Sequence, residues 1–319
     1  MGISKLLLLV IAEYCRPNVY CTELVHLSKS VSPMLYYIHY GDEKVRTLKT
    51  RPLAINFISE TCCTHIVSLF DDIYVVLVED VSFDRSQYKL HIISLSLVSG
   101  EWSVGKPFIV SQRSFVLNTV VSVEECGLIY TFSSQNNMLL RYDIEKNVWE
   151  DVKTPFEGKV DIASCVANRG CLYFFEYGTH IHKYDRVKWT KHKVESSTRF
   201  SSAVSVGEWI VGMHLSIRRR LSLYNSRTHE YKEMKVNSTD TILPMIKYDG
   251  TNLMLIGREI LPSVLITFHF YTIPATSMTS TKIVPWKESR LLSDVSISSF
   301  LLMGESNYLP VLSVGKMEE

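Results

Sequence analysis

Between Val120 and Val152 the chain reads VVSVEECGLIYTFSSQNNMLLRYDIEKNVWEDV, and this stretch holds four strand signals in succession. Val120–Val123 is the first, and Gly127–Phe132 follows it across a turn at Glu124–Gly127. Met138–Tyr142 comes after the polar Ser-Ser-Gln-Asn-Asn segment, and Asn147–Val152 after Asp143–Lys146, whose acidic residues suit a type I turn. With no room for a crossover helix between them, the four strands must form an antiparallel meander. A single such sheet has two apolar faces and cannot bury both alone, so a stable fold needs more copies of it.

The copies are present. Cys165–Val194 repeats the order of apolar run, Gly-apolar-Tyr, polar segment, Tyr-Asp, turn and Trp. Val204–Val236 does the same, with Asn225 and Tyr231 in place of the Asp and the Trp. Upstream, Val67–Val104 contains Asp72-Ile-Tyr74, His91–Leu97 and Trp102; downstream, Leu243–Trp286 carries Asn252–Leu255, Phe268–Tyr271 and Trp286. The third-strand tyrosines Tyr142, Tyr184, Tyr224 and Tyr271 recur at intervals of 42, 40 and 47 residues. The closing aromatics Trp102, Trp149, Trp189 and Tyr231 recur at 47, 40 and 42. Four strands per unit and a period in the forties predict a β-propeller. Met34–Tyr40 and Lys44–Leu48 read as strands, as do Asp294–Met303 and Tyr308–Val314, so a sheet built from both termini should close the ring. With five internal units this gives an all-β, six-bladed propeller; seven blades would require splitting Leu243–Trp286.

Tyr142-Asp143 with Trp149, and Tyr184-Asp185 with Trp189, resemble the second half of the kelch repeat. Arg199-Phe-Ser-Ser-Ala-Val-Ser-Val-Gly-Glu-Trp-Ile-Val-Gly is similar to its inter-blade Arg and first two strands. The likeness spans roughly residues 60 to 290, and the repeats are divergent: no Gly-Gly doublet occurs in the chain. Thr131-Phe132, Phe174-Phe175, Val211-Gly212 and Ile256-Gly257 stand where the family ends its second strand on two glycines.

The resemblance implies a non-enzymatic protein-interaction module. Its family role would be substrate recognition in a Cullin-3 ubiquitin-ligase adaptor of BTB–kelch type; a cytoskeletal or actin-linked kelch scaffold is the alternative, and a propeller enzyme a third. The 319 residues leave no room for the BTB domain that would join the Cullin-3 complex, so the chain is expected to be a truncated product, a fragment, or a kelch protein with another assignment. In kelch proteins the crossings between blades and the loops between second and third strands share one face, which commonly binds a partner. Here those segments are Pro107–Arg113, Pro155–Lys159, Glu195–Arg199 and Asn237–Thr241, and Asp80–Gln87, Ser133–Asn137, Gly178–Thr179, His214–Arg220 and Arg258–Pro262. Arg113 and Arg199 match the inter-blade Arg, which in some family members contacts acidic peptides. Arg218, Arg219 and Arg220 form a basic run beside a predicted loop, and guanidinium forks suit carboxylate or phosphate partners. These five arginines are the candidate partner-binding residues. The same run at a strand start would also discourage edge pairing.

Residues 1–32 are expected to form a short helical segment, with a first helix over MGISKLLLLVIA and a second over Cys21–Ser30, and residues 33–319 the propeller. The pair resembles the tail of a helical domain preceding the propeller, as in BTB–BACK–kelch proteins. The apolar run is too short to span a bilayer, and Glu13-Tyr-Cys-Arg follows it where a signal peptide has small residues. Seven cysteines, an odd number with no CxxC, fit free thiols in a reducing compartment, hence the cytoplasm. A net charge of +1 argues against nucleic-acid binding through bulk electrostatics.

Chemistry-bearing patterns are sparse. Gly100-Glu-Trp-Ser-Val-Gly-Lys106-Pro107 nearly spells a P-loop but has Pro107 where a magnesium-binding hydroxyl is needed. His180 and His182 share a strand face without an evident third metal ligand, and adjacent Cys62 and Cys63 should face opposite ways. No cofactor, metal site or catalytic residue is expected.

Overall fold

In the computed structural model, residues 61–236 are described apart from 71, 83–85, 97–98, 100, 114, 159, 199 and 215–219. Beyond them it describes the backbone of strands within 18–48 and 245–315. Among the described residues the strands group into six sheets, each a meander at heart. Cα packing divides the chain into two compact units, Met1–Lys159 with Val295–Glu319, and Val160–Asp294.

In the first unit, the sheet that joins the termini runs in the order Ser296–Phe300, Val311–Gly315, Asn18–Leu27, Ser30–His39, Val45–Leu48. The expected strands are there, with one more inserted between them. Asn18–Leu27 was predicted as helix in part, yet it pairs antiparallel with Ser30–His39 and parallel with Val311–Gly315. The short-range reading missed that Val19, Tyr20, Thr22 and Val25 favour extended backbone once a partner strand is available. This corrects the helical expectation for 18–27 and 30–32; residues 1–17, 28 and 29 lie outside the described residues.

The second sheet comprises Thr61–Leu69, Asp72–Asp80, Tyr88–Ser96 and Trp102–Val104, with Phe108–Val110 also paired to Tyr88–Ser96. The third comprises Thr119–Val123, Leu128–Ser133, Met138–Asp143 and Val148–Val152, close to the strands read from sequence. In the second unit, the fourth sheet is Ile162–Asn168, Cys171–Glu176, Gly178–Tyr184 and Trp189–Thr198. The fifth is Phe200–Val206, Trp209–His214, Arg220–Asn225 and Tyr231–Val236, extended by a parallel pairing to Lys282–Ile283. The sixth is Met245–Tyr248, Asn252–Ile260, Ile266–Pro274 and Trp286–Leu292.

The hydrophobic pattern explains which strands lie inside. Asp72–Asp80 is buried at seven consecutive positions, Ile73–Glu79, and Leu128–Ser133 at all six. Strands covered on both faces lose the usual alternation and read as continuous apolar runs. Fourth strands are wetter: Trp102–Val104 has no buried residue. Side chains of the second and third sheets merge into one core that includes Val76, Leu90, Ile92, Ile129, Leu140 and Tyr142. In the second unit, Tyr173, Phe175, Ile181, Phe200 and Tyr224 form the corresponding core between the fourth and fifth sheets. Phe200 lies edge-on to Phe175 at 4.3 Å between ring centroids.

Candidate functional site

Much of the repeated motif serves the fold. Tyr142 lies directly opposite Trp149, Tyr184 opposite Trp189, and Tyr224 opposite Tyr231. The first two pairs are in ring contact, at 5.0 and 4.7 Å, as cross-strand aromatics favour. The residue after each Tyr caps the turn that follows. Asp143 Oδ1 accepts from the Lys146 amide at 3.0 Å, Asp185 Oδ1 from the Val187 and Lys188 amides at 3.1 and 2.9 Å, and Asn225 Oδ1 from the Arg227 and Thr228 amides, both at 2.9 Å. Hydrogen bonds from Lys146 hold the Asp143 carboxyl below its usual range, and the turn amides do the same for Asp185.

The near-P-loop is a crossing between sheets. Lys106 N donates to Asn147 Oδ1 at 2.7 Å, the Tyr142 hydroxyl donates to the same oxygen at 2.6 Å, and Trp149 Nε1 donates to the Lys106 carbonyl at 2.9 Å. A Cβ on Gly105 would lie 2.4 Å from both the Tyr142 hydroxyl oxygen and Ile92, which explains the glycine without any phosphate.

The loop between the second and third strands does meet the crossings in the third sheet. Ser134 N and Oγ both donate to Asn118 Oδ1, at 2.7 and 2.9 Å. Thr154 Oγ1 donates to the Asn137 carbonyl at 2.9 Å, and Asn137 Nδ2 donates to the Gly158 carbonyl. The residues entering and leaving the sheet are thus tied to its Ser133–Asn137 loop. Arg113 is exposed in a turn of the crossing that precedes this sheet, and has no hydrogen-bond or ion-pair partner among the described residues.

In the second unit the predicted loop Gly178–Thr179 belongs to a strand, and Tyr177 alone makes the connection. Its amide donates to the Asp161 carbonyl at 2.8 Å and its side chain is exposed. His180 and His182 share a face as expected. Glu176 lies between them: its Oε2 is 3.1 Å from His182 Nε2, within hydrogen-bond distance, and 3.7 Å from His180 Nδ1, with Lys191 Nζ at 4.0 Å. Burial lowers the His182 pKa, so the imidazole is neutral near pH 7. Among the described residues no group of three or more His, Cys, Asp or Glu has the arrangement to hold a metal ion.

Of the predicted partner-binding residues, Arg220 opens the strand Arg220–Asn225 and donates through Nη1 to Glu233 at 2.6 Å on the neighbouring strand. Arg220–Asn225 is flanked by a strand on each side, so Arg220 has no open edge to protect. Arg199, Arg218 and Arg219, the crossing Asn237–Thr241 and the side chains of Cys21, Cys62 and Cys63 lie outside the described residues, as does Cys15. Glu195–Thr198, expected as a crossing, continues the long fourth strand Trp189–Thr198 because its register with Gly178–Tyr184 resumes after a bulge, with Thr198 opposite Gly178. Phe108–Val110, also expected in a crossing, is a short strand. Arg258–Ile260, expected in a loop, ends the strand Asn252–Ile260.

A feature hidden by the near-neutral total is charge polarity. Residues 160–236 hold 13 Lys and Arg against 7 Asp and Glu, a net of +6 within a chain of net +1, and five of its ten histidines. These residues build the fourth and fifth sheets. Arg186, Lys188, Lys191, Lys193, Arg227 and Lys232 are exposed on their outer strands and turns. Counting charge by repeat would have revealed this; a whole-chain total could not.

No known family model matches the sequence, and no curated protein matches it significantly. In structure the chain is similar to a β-propeller of the YWTD type from a crystal structure of a nidogen/laminin complex, at a TM-score of 0.50 and 12% identity. The match covers 86% of this chain and 97% of that one. Together with its antiparallel four-stranded sheets, this likeness makes the chain an all-β protein of propeller-like fold.

Proposed function

We propose that this chain is a non-enzymatic protein-interaction module of the cytoplasm, its six sheets the blades of a propeller and its basic fourth and fifth sheets the side that meets an acidic partner. The observation that carries the reading is the net charge of +6 over residues 160–236, much of it on exposed outer strands and turns. Such a patch steers an oppositely charged protein and fixes its orientation. Loops and turns on a rigid sheet scaffold are also where binding usually concentrates. The finer version, a kelch-type substrate adaptor acting in a Cullin-3 ligase, draws support from the Tyr-Asp turns and the closing aromatics. The cytoskeletal scaffold draws on the same residues.

The test is affinity capture from cytosol at low and high salt, with wild type beside a Lys191→Glu, Lys193→Glu, Lys232→Glu variant whose fold is checked by circular dichroism. Acidic preys held by wild type, released by salt and lost by the variant support the module. Cullin-3 among them supports the adaptor version, and actin-associated preys support the scaffold. Identical preys from both proteins would remove the basic sheets from the interface.

A further inference from the structure

Within the second unit, the seam between the fourth and fifth sheets gathers basic groups that no ion pair joins to a carboxylate among the described residues. His192, on the outer strand Trp189–Thr198, stacks on His229, in the turn that follows Arg220–Asn225, with centroids 4.2 Å apart and planes 22° from parallel. Thr190, two residues before His192 and so on the same face, places Oγ1 3.3 Å from His192 Nε2. Lys183 lies directly opposite Thr190 in the sheet register, its ammonium 5.7 Å from the Tyr173 ring centroid. The Tyr224 hydroxyl lies 2.7 Å from His229 Nδ1. If that hydroxyl donates to Nδ1, the neutral ring carries its proton on Nε2, and Nε2–H is a donor in both charge states.

Among the described residues, the ion-paired carboxylates of these two sheets are engaged with other groups. Glu176 serves His180, His182 and Lys191; Glu208 serves Arg169 and Arg227; Glu230 serves Lys232; and Glu233 serves Arg220. Asp185, the nearest acid in sequence to Lys183, is held chiefly by the amides of its own turn and acts on Lys183 only through a weaker, longer-range attraction. No ion pair joins Lys183, His192 or His229 to a carboxylate among the described residues. Burial, then His229, then Lys183 lower the His192 pKa, and no acidic group opposes them.

We propose that Lys183, Thr190, His192 and His229 form an anion site for the phosphoryl group of a phosphorylated residue on a partner protein. Charge count selects the phosphoryl group. Positive charge gathered on stacked rings beside an ammonium is self-repelling, and an anion of higher charge offsets that repulsion better than a single carboxylate does. A carboxylate brings one, whereas a phosphate monoester brings about 1.5 to 2 at neutral pH, with three acceptor oxygens. The hydroxyl of Thr190 and the imidazole N–H groups supply directional donors, and Lys183 supplies the standing charge. Binding is coupled to proton uptake, so affinity rises as pH falls. The site lies within the basic surface proposed above for partner binding and rests on that reading only for its biological occupant.

The experiment titrates the full chain with inorganic phosphate, O-phosphoserine and acetate at matched ionic strength, following the imidazole carbon-bound protons of His192 and His229 by NMR at pH 6 and pH 8. Phosphate and phosphoserine should both shift the signals of the two histidines saturably and raise the His192 pKa, binding about tenfold tighter at pH 6 than at pH 8. Lys183→Gln and His229→Gln should each weaken binding about tenfold while leaving the remaining amide spectrum in place. Acetate matching phosphate, or a Lys183→Gln variant that binds as wild type, would overturn the site. Binding of inorganic phosphate without phosphoserine would overturn its assignment to a phosphorylated residue. Because no partner protein enters the experiment, failure to capture an acidic partner and failure of this site are separate results.

Discussion

At the scale of single residues, the second unit depends on two positions that have no dramatic chemistry. A Cβ on Gly212 would lie 1.7 Å from the Phe200 ring, and Phe200 is fully buried against Phe175. Gly212→Ala should therefore force the ring from its packing and cost about 1–3 kcal/mol, read as a lower urea midpoint with an unchanged m-value. Asn168 is the polar counterpart. Buried at 2% exposure, its amide donates to Ser205 Oγ at 2.6 Å and to the Gly207 carbonyl at 2.9 Å, and accepts from Ser226 Oγ at 2.8 Å. Asn168→Ala strands these groups and should cost about 2–3 kcal/mol, whereas Arg169→Ala, which removes only an exposed ion pair to Glu208, should change stability by less than about 1 kcal/mol. A larger loss for Arg169→Ala than for Asn168→Ala would contradict this ranking. The Tyr-Asp turns were visible in the sequence because each Asp or Asn caps residues two or three places away. Asn168 was not, because its partners lie 37, 39 and 58 residues further along the chain.

At the scale of strands and turns, period carried further than local propensity. The third sheet was legible to within a residue or two because its turns and aromatics recur. The strand Asn18–Leu27 was not: it carries none of the repeat's turn and aromatic signals, and it is held by an antiparallel neighbour, Ser30–His39, and by a short parallel pairing with Val311–Gly315 from the far end of the chain. The sixth sheet shows how far a sequence match can slip: Trp286 lies opposite Thr272, and Tyr271 lies opposite Lys287. A one-residue offset moves a side chain to the other face, so this sheet keeps the aromatic residues of the repeat without the Tyr–Trp register of the third and fourth. The crossing held by Tyr142, Asn147 and Trp149 gives an element-scale prediction. Trp149→Phe keeps an aromatic ring opposite Tyr142 but removes the donor to the Lys106 carbonyl, and should cost about 0.5–1.5 kcal/mol. Adding Tyr142→Phe, which removes the bond to Asn147, should couple to it rather than add, since both bonds hold the same crossing. Strict additivity in the double-mutant cycle would show that the two bonds act independently.

At the scale of the whole molecule, buried histidines and the joining of the termini govern stability. His91 is 5% exposed and Glu79 is fully buried, with His91 Nε2 2.7 Å from the carboxylate. Burial lowers the His91 pKa against the opposing pull of Glu79, and burial likewise lowers those of His65, His182 and His192 from the ordinary value of 6.5. A lowered folded pKa means that the unfolded chain binds more protons as pH falls through 6.5. Stability is then complete above that value and declines below it. Unfolding midpoints should fall between pH 7 and pH 5, and His91→Gln should flatten that slope while lowering stability at pH 7; an unchanged slope in His91→Gln would exclude His91 as a contributor. The joining sheet makes the last claim. Removing residues 295–319 deletes the strands Ser296–Phe300 and Val311–Gly315 and leaves Asn18–Leu27 paired on one side only. An unpaired strand edge exposes a row of backbone donors and acceptors that recruits other chains. The shortened protein should unfold at lower temperature and aggregate at concentrations where the full chain stays monodisperse, and a peptide spanning 295–319, added in trans, should restore part of the difference. Equal melting temperatures for the two forms would mean that the N-terminal strands hold their place without the C-terminal pair, and that the parallel seam contributes little to keeping the sheet together.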